Sequence, residues 1–171
     1  MSRNYPKAVV FDLDYTLWPC WCDVHIELPL KNHRPDEIID SYGYKLALYP
    51  DVPSIIKELS ENGVKIISAS RTPTVHIAKQ LINHINIDGT PMYKFFDSSQ
   101  WGTGSKTKHI MEAARELGME QELRNGEFIL FDDEYRNKDV NSIGCNFVYI
   151  RDTDLGLTRD IFEKGLKKYY N

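Results

Sequence analysis

The tightest constraint on the fold is a short apolar run near the start of the chain that ends abruptly in acid. Residues 8–11 are apolar, and Asp12 and Asp14 follow with a single leucine between them. A short apolar run that stops at charged residues is typical of a buried parallel strand at its carboxyl end. Ligands bind to open α/β sheets just outside this edge, so the sequence predicts a functional site beside Asp12 and Asp14.

The two acids themselves indicate metal and phosphoryl chemistry. Adjacent carboxylates repel each other unless a cation or a shared proton relieves the repulsion. Oxygen ligands favour Mg2+, and an aspartate can attack phosphorus to form an aspartyl-phosphate. The same Asp-x-Asp pattern occurs on ordinary acidic surfaces and in some glycosyltransferases that bind a metal, so it needs support from the rest of the chain.

Composition predicts a single globular domain over residues 1–171. Hydrophobic residues make up 42% of the chain and charged residues 27%, and the net charge is −4. Lys and Arg are scattered, and no apolar run is long enough for a signal region or a membrane span. We therefore expect a cytoplasmic or nuclear protein that binds neither nucleic acid nor membrane. The odd number of cysteines predicts reduced thiols, although Cys20 and Cys22 would also fit half of a zinc site.

Four more apolar runs are predicted strands, separated by helical patterns. The strands are predicted at residues 64–68, 93–96, 127–131 and 146–150, and the helices are predicted to follow caps at Asp51 and Thr72 and to start at Lys106 and Leu157. This alternation predicts an α/β fold with a parallel sheet of about five strands, right-handed crossovers and helices on both faces.

Residues 17–50 interrupt the alternation and are predicted to form a lid or specificity insert. Their periodicity is poor, and prolines and aromatic residues are interleaved. Long loops inside compact domains are usually functional, and this one leaves directly from the predicted site. Trp18 and Trp21 are candidates to stack on a tyrosyl or sugar ring. The alternative is that the aromatic residues only pack the loop onto the domain.

Ser70 and Arg71 are candidates for phosphate binding between the second strand and the next helix. A hydroxyl at this place can donate to a phosphoryl oxygen beside the free amides of a helix N-terminus. Arg71 would add a charge-assisted contact. Without other signals, Ser70 is equally well a turn residue and Arg71 a surface arginine.

Lys106 is the candidate cation of the site, at the start of a predicted helix. A lysine in the first turn is unfavourable against the helix dipole, which indicates an anion held opposite. The alternative is that Lys106 and Lys108 are solvated surface charges. The Gly-x-Gly-Ser-Lys sequence lacks the spacing of a nucleotide-binding P-loop.

Asp132 and Asp133 end the fourth predicted strand and could complete an oxygen coordination sphere. Either could instead cap the helix that follows. Asn137 and Asp139 are weaker supporting candidates.

Together these motifs resemble the haloacid dehalogenase (HAD) superfamily of phosphohydrolases, and especially its magnesium-dependent phosphatase 1 family. The strings that carry the resemblance are Phe-Asp-Leu-Asp-Tyr-Thr-Leu-Trp-Pro, Ala-Ser-Arg-Thr, Gly-Ser-Lys and Phe-Asp-Asp-Glu-x-Arg-Asn. They occur in the family's order, each at a predicted strand end or helix start, over about residues 7–150. The resemblance implies a Rossmann-like HAD core with strand order 5-4-1-2-3 and only a small flap-type cap.

The resemblance also implies roles in catalysis and phosphate binding. Asp12 would be the nucleophile, and Asp14 the general acid and base. Ser70, Arg71 and Lys106 would bind the phosphoryl group.

The implied metal is Mg2+. Its ligands would be Asp12, the backbone carbonyl of Asp14, and Asp133. Asp132 would orient the site, and Thr16 would hydrogen-bond near Asp14.

The implied activity is Mg2+-dependent phosphomonoester hydrolysis by an acid phosphatase or a phosphotyrosine phosphatase. Substrates would be phosphorylated small molecules or phosphoproteins, with phosphotyrosine and sugar phosphates the classes associated with the family. The alternatives are a receiver-like phospho-accepting domain and a non-catalytic module that binds phosphorylated ligands. Receivers normally carry adjacent acids after strand one and a lysine after strand five, and this chain has neither arrangement.

Overall fold

A five-stranded parallel sheet forms the centre of the protein. The computed structural model describes residues 4–170. In chain order the strands and helices are β1 (Ala8–Phe11), α1 (Cys22–His25), β2 (Lys31–Arg34), β3 (Glu37–Ile39), β4 (Lys45–Ala47), α2 (Val52–Glu61), β5 (Lys65–Ala69), α3 (Val75–His84), β6 (Asn86–Ile87), β7 (Thr90–Pro91), β8 (Ser98–Gln100), α4 (Lys106–Leu117), α5 (Glu120–Arg124), β9 (Phe128–Asp132), β10 (Cys145–Tyr149) and α6 (Arg159–Leu166). The 3-10 segments are Met92–Phe95, Tyr135–Ile143 and Lys167–Tyr169.

Strand β1 lies in the middle of the sheet, whose order is β10-β9-β1-β5-β8. Val9 is in register with Ile66 of β5 on one side and with Ile129 of β9 on the other, and every pairing in this sheet is parallel. The predicted order of the five strands is confirmed. Because the three central strands end together, Asp12 lies between the residues that follow β5 and those that end β9.

Buried side chains cover both faces of the sheet. Alternate residues of a strand point to opposite faces. Val9 and Phe11 therefore pack with α2, α3 and α6, while Ala8 and Val10 pack with α4 and α5. Full burial of a large apolar side chain contributes about 1.5–3 kcal/mol, so both helical layers hold the central strands in place. The prediction of helices on both faces is confirmed.

The third predicted strand was placed wrongly along the chain. Residues 93–96 were expected to form it, but they fall at the 3-10 segment Met92–Phe95, and the strand is the polar β8. As an edge strand, β8 can keep polar side chains. Ser98 and Gln100 both donate to the carboxylate of Glu116 on α4.

The two predicted helix caps have other partners. Asp51 directly precedes α2, but its carboxylate accepts the backbone N–H of Arg159 at 2.8 Å and does not cap the helix. Helix α3 begins at Val75, later than predicted, because Thr72 accepts the N–H of Thr74 in a turn before it. For Asp51, a hydrogen bond to a residue more than 100 positions later in the sequence replaces the expected cap.

The insert, residues 17–50, is a small folded unit. It contains α1 and an antiparallel sheet with the order β2-β3-β4. Ile38 of β3 and Leu46 of β4 are buried in the main core, so the insert is anchored to the domain. Its action as a lid stays a prediction.

Asp40 closes the turn that follows β3. Its buried carboxylate accepts the backbone N–H groups of Glu27, Tyr42 and Tyr44 at 2.8–3.0 Å. Burial raises the pKa of Asp40, but these N–H groups lower it by more, so the net pKa is below the ordinary value.

Within residues 4–170 the helices are all too short or too polar to cross a membrane.

Candidate active site

Asp12 lies at the carboxyl end of the central strand, and each of its carboxylate oxygens is held by a donor. Oδ1 accepts a hydrogen bond from Lys106 Nζ at 2.9 Å, and Oδ2 accepts one from Thr16 Oγ1 at 3.2 Å. Only 9% of Asp12 is exposed. Thr16 was expected to bond near Asp14, but its hydroxyl supports Asp12. The two donors fix the direction in which Asp12 faces the space above the sheet.

Lys106 is a buried cation at the start of α4. It is 2% exposed, and Nζ donates to the Ala69 carbonyl at 2.5 Å. Nζ also pairs with Asp12 Oδ1 at 2.9 Å and with Asp132 Oδ2 at 3.1 Å. Burial lowers the pKa of Lys106, but the two carboxylates raise it by more. The lysine is therefore charged, and these anions offset its unfavourable place at a helix N-terminus.

Asp132 ends β9 and is fully buried. Its Oδ1 accepts the backbone N–H of Glu134 at 2.9 Å, and its Oδ2 accepts from Asn137 Nδ2 at 3.0 Å and pairs with Lys106. Burial and the charge of Asp12 raise its pKa to about 6, while Lys106 lowers it. Asp132 therefore holds Lys106 and Asn137 in place. Of the two weaker candidates, Asn137 is thus part of the site, whereas Asp139 is exposed.

Asp133 brings a third carboxylate to the same point. Asp12, Asp132 and Asp133 each have an oxygen within 4.8 Å of the others. Burial, a side-chain hydrogen bond with Asp12 and the charge of Asp12 raise the pKa of Asp133 to about 9. Carboxyl groups this close repel each other unless they share a proton or a cation. A cluster of carboxylate oxygens is the donor set that Mg2+ prefers, so these residues fit Mg2+.

Asp14 lines the same space but is held by the insert. Its Oδ1 accepts a hydrogen bond from Trp18 Nε1 at 2.7 Å, and its Oδ2 accepts one from Cys22 Sγ at 3.6 Å. Burial raises the pKa of Asp14 to about 6, the Trp18 bond lowers it, and Asp12 raises it further. Burial also raises the pKa of the Cys22 thiol to about 12, so the thiol keeps its proton and can donate.

Ser70 and Arg71 follow β5 on the opposite side of Asp12 from β9. Ser70 is 3% exposed, and its Oγ accepts the backbone N–H of Thr72 at 3.2 Å. An oxygen that accepts in this way still has its own proton to donate. Arg71 lies at the rim, where its Nη2 donates to the Thr103 carbonyl at 3.3 Å.

One cavity of about 220 Å3 unites these residues above the sheet edge. The predicted residues that line it are Asp12, Asp14, Trp21, Ser70, Arg71, Lys106 and Asp133. Thr16 and Asp132 are fully buried and support the lining residues from beneath. A larger cavity, about 780 Å3, lies along α4 and α5 and is lined by none of them. Size alone would therefore identify the wrong cavity.

Four residues to which the sequence reasoning assigned no role also line the smaller cavity: Asp23, Thr103, Glu134 and Arg136. Glu134 and Arg136 pair at 2.6 Å and lie within the last of the four family strings, which is the signal that could have identified them. Asp23 and Thr103 come from the insert and from the loop before α4. Their positions depend on packing that no local pattern encodes.

A central strand that ends in acid, with a lysine and further acids on the flanking segments, agrees with the arrangement that the resemblance to the HAD class implies. The crystal structure of an HAD-superfamily hydrolase from Ehrlichia chaffeensis matches this structure with a TM-score of 0.61, covering 96% of both chains. The two sequences are 14% identical, so this likeness establishes the fold alone.

Sequence comparison narrows the class to one family. The family model described as Acid Phosphatase matches residues 4–171, and the chain belongs to that family. Magnesium-dependent phosphatase 1 of Homo sapiens is 33% identical over 165 residues, which cover 96% of this chain and 87% of that protein. An HAD-like hydrolase superfamily protein of Schizosaccharomyces pombe is 40% identical over 156 residues, which cover 86% and 88% of the two chains.

The protein is thus a magnesium-dependent phosphatase of the HAD superfamily. The family, the enzyme class and the metal predicted from the motifs are confirmed. A phosphatase acts on phosphorylated substrates, which agrees with the coarser part of the partner prediction. The receiver-like and non-catalytic alternatives are set aside by the family membership.

Proposed function

We propose that the protein hydrolyses phosphomonoesters through an aspartyl-phosphate formed on Asp12. The observation that carries this proposal is the buried Asp12 carboxylate, fixed by Lys106 and Thr16 at the wall of an open cavity. An Asp12 oxygen attacks phosphorus while the bond to the ester oxygen breaks, and the alcohol leaves with a proton. Water then attacks the phosphoryl group of the intermediate, which releases phosphate and restores Asp12.

Asp14 is the proposed proton carrier of both steps. Asp14 lines the cavity two residues after Asp12 in the sequence, and the charge of Asp12 helps to raise the pKa of Asp14. In the first step Asp14 gives a proton to the departing ester oxygen. In the second step the same carboxylate takes a proton from the attacking water, which returns the enzyme to its starting state.

Asp12, the Asp14 backbone carbonyl and Asp133 are the proposed holders of Mg2+. When bound, the ion would neutralise charge on the phosphoryl oxygens. Asp133 is favoured over Asp132 as the direct ligand because both oxygens of Asp132 already accept from Glu134, Asn137 and Lys106.

Ser70, Arg71 and Lys106 are the proposed contacts of the phosphoryl group. Lys106 touches Asp12 directly, so its positive charge lies where negative charge develops during transfer. Ser70 can donate its hydroxyl proton, and Arg71 adds a charged donor at the rim of the cavity.

The proposed substrates are phosphotyrosine and sugar phosphates. Trp21 lines the cavity, is 52% exposed, and meets Tyr15 edge-on at 5.2 Å and His25 in a stack at 5.9 Å. A half-exposed indole held by other rings can receive the ring of a substrate on its free side. The insert is small, which leaves room at the rim for a phosphoprotein as well as a small molecule.

Phosphate release from p-nitrophenyl phosphate tests the mechanism. With Mg2+ the wild type should turn over repeatedly, and EDTA or Asp12→Asn should abolish turnover. Asp139→Asn makes the same chemical change at an exposed position outside the cavity and is the matched control. Turnover that survives in Asp12→Asn would rule out the proposed nucleophile.

The substrate class is tested separately with Trp21→Ala. Loss of ring stacking worth about 0.5–1.5 kcal/mol should raise KM for phosphotyrosine by about 2- to 12-fold and leave that for glycerol phosphate unchanged. Tyr42→Ala removes an 84% exposed ring that is not part of the cavity and serves as control. Equal KM values in Trp21→Ala and the wild type would remove Trp21 from the substrate site.

A further inference from the structure

Two buried side chains of the insert donate hydrogen bonds to the Asp14 carboxylate, one to each oxygen. The Trp18 indole donates to Oδ1 at 2.7 Å and the Cys22 thiol donates to Oδ2 at 3.6 Å, and both residues are 0% exposed. We propose that Trp18 and Cys22 are positioning residues that aim Asp14 at the departing ester oxygen. This inference rests on the proton-transfer role proposed above for Asp14.

The backbone between Asp14 and Trp18 reverses its direction, which brings the Trp18 side chain beside Asp14. Tyr15 has a φ of +59°, a left-handed conformation that is unfavourable for a side chain of this size. Its N–H donates to the Trp18 carbonyl at 2.8 Å, and Asp14 and Trp18 form an isolated bridge. The chain therefore doubles back so that the indole N–H meets the carboxylate. A buried indole needs a partner for its N–H, and here that partner is a proposed reacting group.

Cys22 joins Asp14 to the phosphate-binding side of the cavity. Its sulfur lies 3.4 Å from Thr72 Oγ1, and the Thr72 N–H donates to Ser70 Oγ at 3.2 Å. One thiol thus touches Asp14 and the turn that carries Ser70. This fixes the separation between the proton donor and the proposed phosphate contact.

A positioning role has a kinetic signature that a general loss of stability lacks. A poor leaving group, such as an alkoxide, needs a well-placed proton donor, whereas p-nitrophenolate departs with little help. The value of kcat/KM reports on steps up to the departure of the leaving group. Misplacing Asp14 should therefore lower kcat/KM for alkyl phosphates much more than for p-nitrophenyl phosphate.

The first test compares glycerol phosphate with p-nitrophenyl phosphate in the full-length protein with Mg2+. Asp14→Asn should reduce kcat/KM for glycerol phosphate by about 10²- to 10⁴-fold relative to p-nitrophenyl phosphate. Trp18→Phe keeps an aromatic ring but loses the N–H, and should show part of this selective loss, about 10-fold. If Asp14→Asn shows no selectivity, the proposed function of Asp14 fails. If only Trp18→Phe shows none, the positioning role fails.

Cys22 provides an independent pair of variants in case Trp18→Phe does not fold. Cys22→Ala removes the donor and should give the selective loss, while Cys22→Ser keeps a donor and should restore the wild-type ratio. Cys20→Ala is the matched control, since Cys20 is a buried thiol of the same segment with no hydrogen bond to Asp14 among residues 4–170. Equal losses in Cys22→Ala and Cys22→Ser would overturn the role of Cys22.

A double-mutant cycle separates positioning from independent structural effects. If Trp18 acts through Asp14, Trp18→Phe should have no further effect on kcat/KM in the Asp14→Asn background. A further loss as large as in the wild type would show that Trp18 acts by another route and would overturn the inference.

Discussion

The edge of the parallel sheet and the insert hold buried charge in opposite ways. At the sheet edge, Lys106 is enclosed by Asp12 and Asp132, and Asp133 brings a further carboxylate close to them. In the insert, the hydrogen bonds that the Asp40 carboxylate accepts within residues 4–170 come from backbone N–H groups, which carry no net charge. A buried ion pair stabilises a fold little, so the charges at the sheet edge agree with the catalytic role proposed for them, whereas Asp40 defines a turn.

The largest effect is expected at the sheet edge, from Lys106→Met. Removing the cation leaves Asp12 and Asp132 buried without their partner, so in EDTA the free energy of unfolding should fall by about 3–5 kcal/mol. Urea unfolding measures this change. Lys108→Met alters an exposed lysine of the same helix and should have little effect. Equal losses in the two variants would mean that the sheet edge is no more sensitive than the surface.

An intermediate effect is expected from the metal. Mg2+ at 100 times its Kd should stabilise the wild type by about 2.7 kcal/mol, because it binds the folded carboxylate cluster and not the unfolded chain. Asp133→Asn should lose most of this gain. Its metal-free form should be at least as stable as the wild type at pH 7, because the Asp133 carboxyl, with its pKa raised to about 9, has to take up a proton on folding and an amide does not. Thermal unfolding with and without Mg2+ measures both quantities. An undiminished Mg2+ response in Asp133→Asn would contradict the proposed ligand.

The smallest effect is expected in the insert, from Asp40→Asn. The pKa of Asp40 is lowered by folding, so its stabilisation is complete above the unfolded pKa, near 3.8, and is lost as pH falls through the folded pKa. Asp40→Asn should therefore be less stable than the wild type at pH 7, and the gap should close below pH 4. Urea unfolding at pH 7, 5 and 3 measures the gap. Asp36→Asn, at an exposed position in the turn between β2 and β3, should show no such convergence.

The same contrast explains how much could be predicted from the sequence. Buried strands that stop at acid can be predicted because apolar runs and charged ends are local patterns, and Asp12 and the Asp132–Asp133 pair were predicted in this way. Lys106 was predicted from its unfavourable place at a helix start, and Asp133 was preferred over Asp132 because of the family resemblance. Strand β8 was missed because it is polar, and an edge strand needs little apolar surface. The more apolar residues 93–96 lie just before it and fit the strand pattern better.

Contacts that join distant segments could not be predicted. The thiol of Cys22 meets Thr72, 50 residues away, and the carboxylate of Asp51 meets the N–H of Arg159, 108 residues away. Both depend on how the insert and the last helix dock, which no short pattern encodes. The hydrogen bond from Trp18 to Asp14, four residues apart, was also not predicted. It depends on the left-handed backbone conformation of Tyr15, which a sequence usually indicates by a glycine, and no glycine is present there.

The central place of β1 also has a consequence for motion. The strand is paired along both edges, and the Asp12 N–H itself donates to the Phe131 carbonyl at 3.0 Å. Amides in such a position exchange with solvent only when the whole domain opens, whereas turns of a peripheral unit open locally. We therefore expect the amides in the turns of residues 17–50 to exchange faster than the Asp12 amide, which lies in the most slowly exchanging part of the protein.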